Sequence, residues 1–363
     1  MKYIDEFRNK EIVRKASKRI FEIMPKAQVS IMEVCGTHTQ SFHRFGLDRL
    51  IPDNLRLIAG PGCPVCVSDQ DYIDKAIHLS KDSDIIILSF GDMLRVPGTS
   101  SSLERQKAEG SDVRIVYSAW DSLRVAKGNP AKKVVFLAVG FETTAPTLAL
   151  TIQAAKKERL RNLFFFSALK LIPPAMEALL FDRQLKINGF LCPGHVSTII
   201  GSRAYEFIPK RYRIACCVAG FEPLDILEGI YFLLLQITKR KPCVENQYVR
   251  VVKRQGNPIA KQIINNVFKT SDAMWRGLGK ILQSGLRLRD RFSRFDVEKA
   301  MPIKLNRKTS NNEKGKCRCP DVLKGIIRPS DCPLFRRICS PVNPYGPCMV
   351  SSEGACNAYY RYK

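Results

Sequence analysis

Six of the 13 cysteines in this 363-residue chain fall between Cys317 and Cys356. They are Cys317, Cys319, Cys332, Cys339, Cys348 and Cys356, spaced irregularly through a Pro- and Gly-rich stretch. Such spacing cannot supply the repeating apolar face of a helix or sheet core. The segment therefore needs disulfides or a thiolate-bound metal to hold it. Two further thiols lie in a tight loop, Gly60-Pro-Gly-Cys63-Pro-Val-Cys66, and another in Val34-Cys35-Gly36-Thr37-His38-Thr39. Three cysteine sites must be reconciled by one fold.

The length predicts two or three domains. A chain that is 45% hydrophobic and 26% charged has the balance of a soluble globular protein. The N-terminal residues mix charges and lack an apolar secretory core. The most continuous apolar run, Ile230–Leu235, is far too short to cross a bilayer. The expectation is a cytoplasmic protein without membrane contact, in which thiols turn to metal or redox work. The net charge of +25 raises nucleic-acid binding. The basic residues are scattered, however, as in Lys132-Lys133 and Lys239-Arg240-Lys241, with no aromatic-interleaved stripe. No nucleic-acid partner is expected, and an acidic protein partner fits the charge at least as well.

Eight apolar runs read as strands: 29–34, 55–59, 84–89, 113–117, 134–139, 163–167, 187–191 and 213–218. Most are continuous Val/Ile/Leu/Phe, as in parallel strands buried on both faces, with room for a crossover helix between them. The predicted fold class is α/β: two related parallel-sheet domains, 1–128 and 129–245, meeting near Gly128-Asn129-Pro130. A third unit, 246–363, combines a helical segment (Asn246–Phe295, bent at Trp275-Arg-Gly-Leu-Gly), a polar linker (Lys304–Lys316) and the cysteine-rich end. Polar and glycine residues cluster where the strands end, the place ligands bind in open parallel sheets. These clusters hold Cys35, Cys63, Cys66, Asp92, Glu142, His195 and Glu222. For the two Gly-Phe-Glu triplets, a plain strand-to-helix turn with a dipole-favoured Glu explains the pattern equally well.

Four thiolates bind Zn(II) or ligate an iron–sulfur cluster. Structural zinc sites usually show two short C-x2-C knuckles, and the C-terminal segment has none. Six thiols also exceed four ligands by two. A [4Fe–4S] cluster on Cys317, Cys332, Cys339 and Cys356, with Cys319 and Cys348 as an adjacent redox pair, accounts for all six. Exchange of Cys317 with Cys319, or of Cys356 with Cys348, satisfies the same arithmetic. Cys63-Pro-Val-Cys66 can close a disulfide or share a metal, and such motifs lower a thiol pKa. Cys35 and His38 combine thiolate and imidazole, donors that suit Fe, Zn or Cu, although either is more often a buried structural residue. Cys192, Cys216, Cys217 and Cys243 have no comparable context; burial is the default for Cys216 and Cys217.

With these motifs in view, the chain resembles the HypD family of hydrogenase maturation factors along essentially its whole length. The resemblance rests on Cys35-Gly-Thr-His-Thr39, Gly60-Pro-Gly-Cys-Pro-Val-Cys66, Met93-Leu-Arg-Val-Pro-Gly98, Gly140-Phe-Glu-Thr-Thr-Ala-Pro146, Pro193-Gly-His-Val-Ser197, Ala219-Gly-Phe-Glu-Pro-Leu-Asp-Ile-Leu227, Gly346-Pro-Cys-Met-Val-Ser-Ser-Glu-Gly-Ala-Cys356 and Ala358-Tyr-Tyr-Arg-Tyr362. Pro320 stands where the pattern has Gly, and Cys217 adds a thiol beside Cys216; neither removes a site.

The resemblance implies two α/β domains, a C-terminal [4Fe–4S] domain and a redox-active metallocentre assembly factor. It implies that Cys35 holds an Fe(II) being dressed with CN and CO, together with a cysteine of a small HypC-type chaperone. Cys63 and Cys66 resemble the redox pair beside that iron, with Cys319 and Cys348 relaying electrons. Cyanide arrives from a HypE-type partner as a thiocyanate. His38 is expected to tune or ligate at Cys35, and Asp92, Glu142, His195 and Glu222 to move protons or position the partner tail. The competing reading is a thiol–disulfide oxidoreductase like ferredoxin–thioredoxin reductase. A basic zinc protein is a third.

Overall fold

Parallel strands whose side chains are buried on both faces organise the molecule. A computed structural model describes residues 2, 4–182, 184–301, 303 and 317–363. The strands are β1 (Val29–Glu33), β2 (Leu55–Ala59), β3 (Ile85–Ser89), β4 (Val113–Ile115), β5 (Lys133–Gly140) and β6 (Leu163–Leu169). They continue with β7 (Gly189–Pro193), β8 (Ala215–Ala219), β9 (Val244–Asn246), β10 (Phe268–Trp275) and β11 (Gly279–Leu288). One five-stranded sheet has the order β2-β1-β7-β8-β9, and a four-stranded sheet has β4-β3-β5-β6. Every neighbouring pair in both sheets is parallel, so the expected α/β class with two parallel sheets is present.

The strand grouping differs from the sequence expectation. β1 and β2 pair with the late strands β7–β9, while β3–β6 make a sheet of their own. The division expected at 128/129 falls between β4 and β5 of one sheet and does not separate the two. The apolar runs show only that a strand is buried on both faces; they carry no mark of which strand lies beside it. Side-chain fit decides that. Phe136 on β5 and Phe165 on β6 face each other in register and are fully buried. Each contributes about 1.5–3 kcal/mol by burial.

The segment expected to be helical, Asn246–Phe295, is corrected over most of its length. It holds the helix Pro258–Val267 and then the antiparallel hairpin β10–β11. β10 alternates exposed and half-buried residues between buried Phe268 and Trp275, a period-two pattern that a helix does not have. The turn falls in the motif taken for a bend. The predicted linker Lys304–Lys316 lies outside the described residues.

One continuous apolar cluster joins the pieces. It contains Cys63 and Cys66 after β2, Phe141 after β5, Cys192 on β7, Trp275 at the hairpin tip, and Cys319, Cys332, Cys339, Cys348 and Cys356. The helix Gly36–Arg44 packs on the C-terminal helix Ala355–Tyr362, and the short helix Pro64–Val67 packs on Pro347–Val350. The cysteine-rich end is thereby pressed against the carboxyl ends of β1 and β2.

Candidate thiol and metal centre

Cys35 follows β1 and occupies the N-cap position of the helix Gly36–Arg44. The Cys35 carbonyl accepts from the His38 N–H at 3.0 Å, and the nearby Thr37 and His38 polar groups act to lower the thiol pKa. Burial, reinforced by the Glu353 carboxylate, nevertheless pushes the thiol up to about 12. The free side chain keeps its proton, and a bound cation would be needed to release it at neutral pH. The Cys63–Cys66 loop lies directly against it. A Cβ on Gly62 would sit 2.5 Å from the Cys35 Cα, and the Gly62 carbonyl accepts from the Gly36 N–H at 3.1 Å.

His38 is fully buried, and burial lowers its pKa to about 4, so the ring is neutral. Its Nε2 meets the carbonyls of Gly220 at 2.9 Å and Ala219 at 3.2 Å. Both are acceptors, so Nε2 carries the proton and Nδ1 keeps its lone pair. Nδ1 is buried with no hydrogen-bond partner among the described residues. The ring packs on Phe221, with centroids 4.7 Å apart, and His195 stacks on the same phenyl at 4.0 Å.

Glu353, which sequence reasoning missed, ties this corner to the cysteine-rich end. Its Oε1 accepts from Thr37 Oγ1 at 2.7 Å. Its charge reaches Cys35, Cys63, Cys66 and His195. The only signal in the chain was its place between Cys348 and Cys356 in a family motif.

Cys63 caps the helix Pro64–Val67, accepting from the Cys66 N–H at 3.3 Å. Cys66 is fully buried, which works to raise its pKa, but hydrogen bonds from the Cys348 and Cys63 thiols prevail and lower it to about 6. The partners keep the protons, and both are shifted upward. Cys348 Sγ lies 2.8 Å from Cys319 Sγ. Cys63, Cys66, Cys348 and Cys319 thus form one run of neighbouring thiols, with Cys319 and Cys348 in contact.

All six C-terminal cysteines line a single cavity, with Leu334, Phe335, Gly346 and Met349. Cys317 is pushed up to about 12 by burial. Gly346 belongs to the cavity wall; a Cβ there would lie 2.8 Å from Cys317 Sγ. Among the described residues no group of three or more His, Cys, Asp or Glu side chains is arranged to hold a metal ion. The Cys192, Cys216 and Cys217 thiols are buried and Cys243 is exposed; none of these joins the cavity.

The remaining candidates divide. Asp92 starts a short helix, pairs with Arg95 at 3.8 Å, and its charge reaches Cys66. Glu142 is buried after β5. Its Oε1 accepts from the Ile172 N–H at 2.9 Å, its Oε2 has no partner among the described residues, and burial raises it to about 7. Glu222 is engaged structurally, by Arg8 Nη2 at 2.9 Å and, through its own N–H, by Asp225 at 3.2 Å. A second residue that the sequence did not flag is Glu33 at the end of β1. It is buried, accepts from Thr39 Oγ1 at 2.8 Å, leaves Oε1 without a partner among the described residues, and is raised to about 8 by burial.

Fold and site define a thiol-rich α/β protein in which three cysteine sites converge on one buried junction. Among the described residues no helix is long and apolar enough to cross a membrane. The chain belongs to the HypD family, described as the hydrogenase formation hypA family, which it matches over residues 11–363. It is 44% identical to the hydrogenase maturation factor HypD2 of Bradyrhizobium diazoefficiens, covering 100% of this chain and 97% of that protein. It is 43% identical to HypD of Escherichia coli, covering 100% and 98%. It is 41% identical to a putative hydrogenase expression/formation protein of Methanocaldococcus jannaschii, covering 98% of each. These names do not favour the thioredoxin-reductase alternative.

Proposed function

We propose that this chain is a hydrogenase maturation factor that holds an Fe(II) ion while cyanide and CO are attached, and that supplies the electrons for cyanide release. The carrying observation is the run of neighbouring thiols from the six-cysteine cavity through Cys348 and Cys66 to Cys63, packed against Cys35. Iron(II) with strong-field diatomic ligands is soft enough to prefer thiolate, and Cys35 is the thiolate offered here. The free His38 Nδ1 lone pair supports a role as a second ligand or hydrogen-bond acceptor at the same corner.

The substrate on the HypE-type partner is a thiocyanate, whose sulfur–carbon bond needs two electrons to break. The Cys63/Cys66 dithiol gives two electrons and two protons as it closes to a disulfide. The products are the partner's thiol and hydrogen cyanide, whose cyanide the iron takes as its proton leaves. Cys348 then attacks Cys66, Cys63 leaves as the thiol, and Cys319 closes on Cys348, so Cys63/Cys66 returns to the dithiol. Asp92, Glu142 and His195 serve as proton-holding or positioning groups around this centre. Glu222 keeps only its structural bonds.

The donor set fits a [4Fe–4S] cluster. Four thiols, Cys317, Cys332, Cys339 and Cys356, remain on the cavity once the Cys319/Cys348 contact is set aside, and the Gly346 wall leaves room beside Cys317. Bound there, a cluster supplies single electrons. A HypC-type chaperone would complete the iron site with its own cysteine. The thirteen unpaired thiols suit a reducing cytoplasm.

Anaerobic infrared spectroscopy of the chain co-purified with its HypC-type chaperone tests the reading. Cyanide and carbonyl stretching bands that vanish in Cys35→Ala are expected. Bands absent from both samples despite a bound chaperone would overturn it.

A further inference from the structure

The β10–β11 turn touches two of the three thiol-bearing segments of the sulfur run, those of Cys66 and Cys319. On one side the Arg276 N–H donates to Val67 O at 2.9 Å, and Arg276 Nε donates to Ser68 O at 2.8 Å. Val67 and Ser68 immediately follow Cys66, and Ser68 also forms a bridge with Trp275. On the other side Gly277 lies against Pro320, the residue after Cys319. Its φ is +82°, and a Cβ there would sit 2.8 Å from the Pro320 Cα.

The turn is itself held rigidly. Lys170 Nζ donates to Met274 O at 2.7 Å, Trp275 Nε1 donates to Ser284 Oγ at 2.8 Å, and Phe141 stacks on the Trp275 ring. Among the described residues the guanidinium Nη2 of Arg276 is buried without a partner, and its side-chain bond to Ser68 sets its position.

We propose that the β10–β11 turn is a positioning element that holds Cys66 within exchange distance of Cys348, with Arg276 and Gly277 as its two contact residues. This rests on the relay reading above. Thiol–disulfide exchange needs an in-line approach of three sulfurs, so a displacement of an ångström costs about tenfold to a hundredfold in rate. The turn braces the Cys66 segment against that of Cys319, whose Sγ lies 2.8 Å from Cys348 Sγ.

The test uses the full chain, isolated anaerobically, in a Cys63→Ser background. Glutathione disulfide oxidises Cys319 and Cys348 to a disulfide, yielding two glutathione thiols. Cys66 thiolate then attacks Cys348 Sγ. The Cys319–Cys348 bond breaks, the Cys66–Cys348 bond forms, and Cys319 leaves as thiolate and takes a proton. With Cys63 gone the mixed disulfide is undone only by return attack of Cys319, so its approach to a steady level is followed by peptide mass spectrometry after acid quench. Adding Arg276→Ala or Gly277→Ala is expected to slow its formation about tenfold or more. The Cys319–Cys348 bond should still form at the same rate. Arg276→Lys, which keeps a donor for Ser68 O, should retain most of the rate. If the mixed disulfide never forms with the native turn, the relay reading itself falls. If it forms equally fast in either folded turn variant, the relay stands and the positioning role is overturned. Thermal melting identifies which variants are folded, and one of the two suffices.

Discussion

Glu353 accepts a 2.7 Å hydrogen bond from Thr37, a residue 316 positions earlier in the chain. This bond brings the cysteine-rich end onto the helix that begins after Cys35. It places a carboxylate where it acts on Cys35, Cys63 and Cys66 together. Burial holds the Cys35 thiol high, and Glu353 adds to it. Glu353→Gln keeps an acceptor for Thr37 and removes the charge. The Cys35 titration, followed by pH-dependent alkylation, should then move to lower pH. Glu353→Ala also loses the bond and should cost about 1 kcal/mol in urea unfolding. An unchanged alkylation profile in Glu353→Gln would refute the electrostatic link.

Cys66 is the thiolate of its pair. Burial opposes that state, but the bonds from Cys348 and Cys63 outweigh it and bring Cys66 to about 6. In reduced protein, the ultraviolet thiolate signal lost on Cys66→Ser should already be present at neutral pH. Cys348→Ala should shift it upward by removing one donor. A signal carried by Cys63 instead would contradict the assignment.

Glu33 makes stability fall as pH rises. Its folded pKa is raised from 4.5 to about 8 by burial. Between those values the folded chain binds more protons than the unfolded one, so the slope of stability with pH is negative. The contribution is complete below the unfolded value and is lost as pH climbs towards about 8. Glu33→Gln keeps an acceptor for Thr39 and cannot ionise. The melting temperature of the variant should gain on that of the native chain from about pH 5 to about pH 8. Parallel curves would show that Glu33 does not titrate there.

Arg250 and Asp225 form a two-bond pair in which Asp225 is fully buried. Asp225 also accepts from Gln247, whose Oε1 accepts from the Gly220 N–H, and the Gly220 carbonyl holds His38. Arg250→Ala leaves a buried carboxylate without its cation and should cost about 3–5 kcal/mol in denaturant unfolding. Adding Asp225→Asn should recover part of that loss. A cost near that of an exposed pair would place Asp225 outside the core network.

Much of the site was legible in the chain because its chemistry is local. Cys35 with His38, Cys63 with Cys66, and the six C-terminal cysteines announce themselves by residue type and spacing. The turns after β1, β2, β5, β7 and β8 carry their glycines in plain view. Glu33 and Glu353 did not stand out. One is a carboxylate at the end of an apolar strand, the other a polar residue in a turn, and only burial gives either its character.

By itself the sequence determined the residue inventory, the buried parallel strands and the family, since these depend on composition, local pattern and motif. Tertiary structure alone decided which strands pair, that Trp275-Arg-Gly-Leu-Gly closes a hairpin, and that Cys66 meets Cys348. Those outcomes turn on side-chain fit between segments far apart in the chain. No local pattern records that fit, because each contact exists only after the whole core has packed.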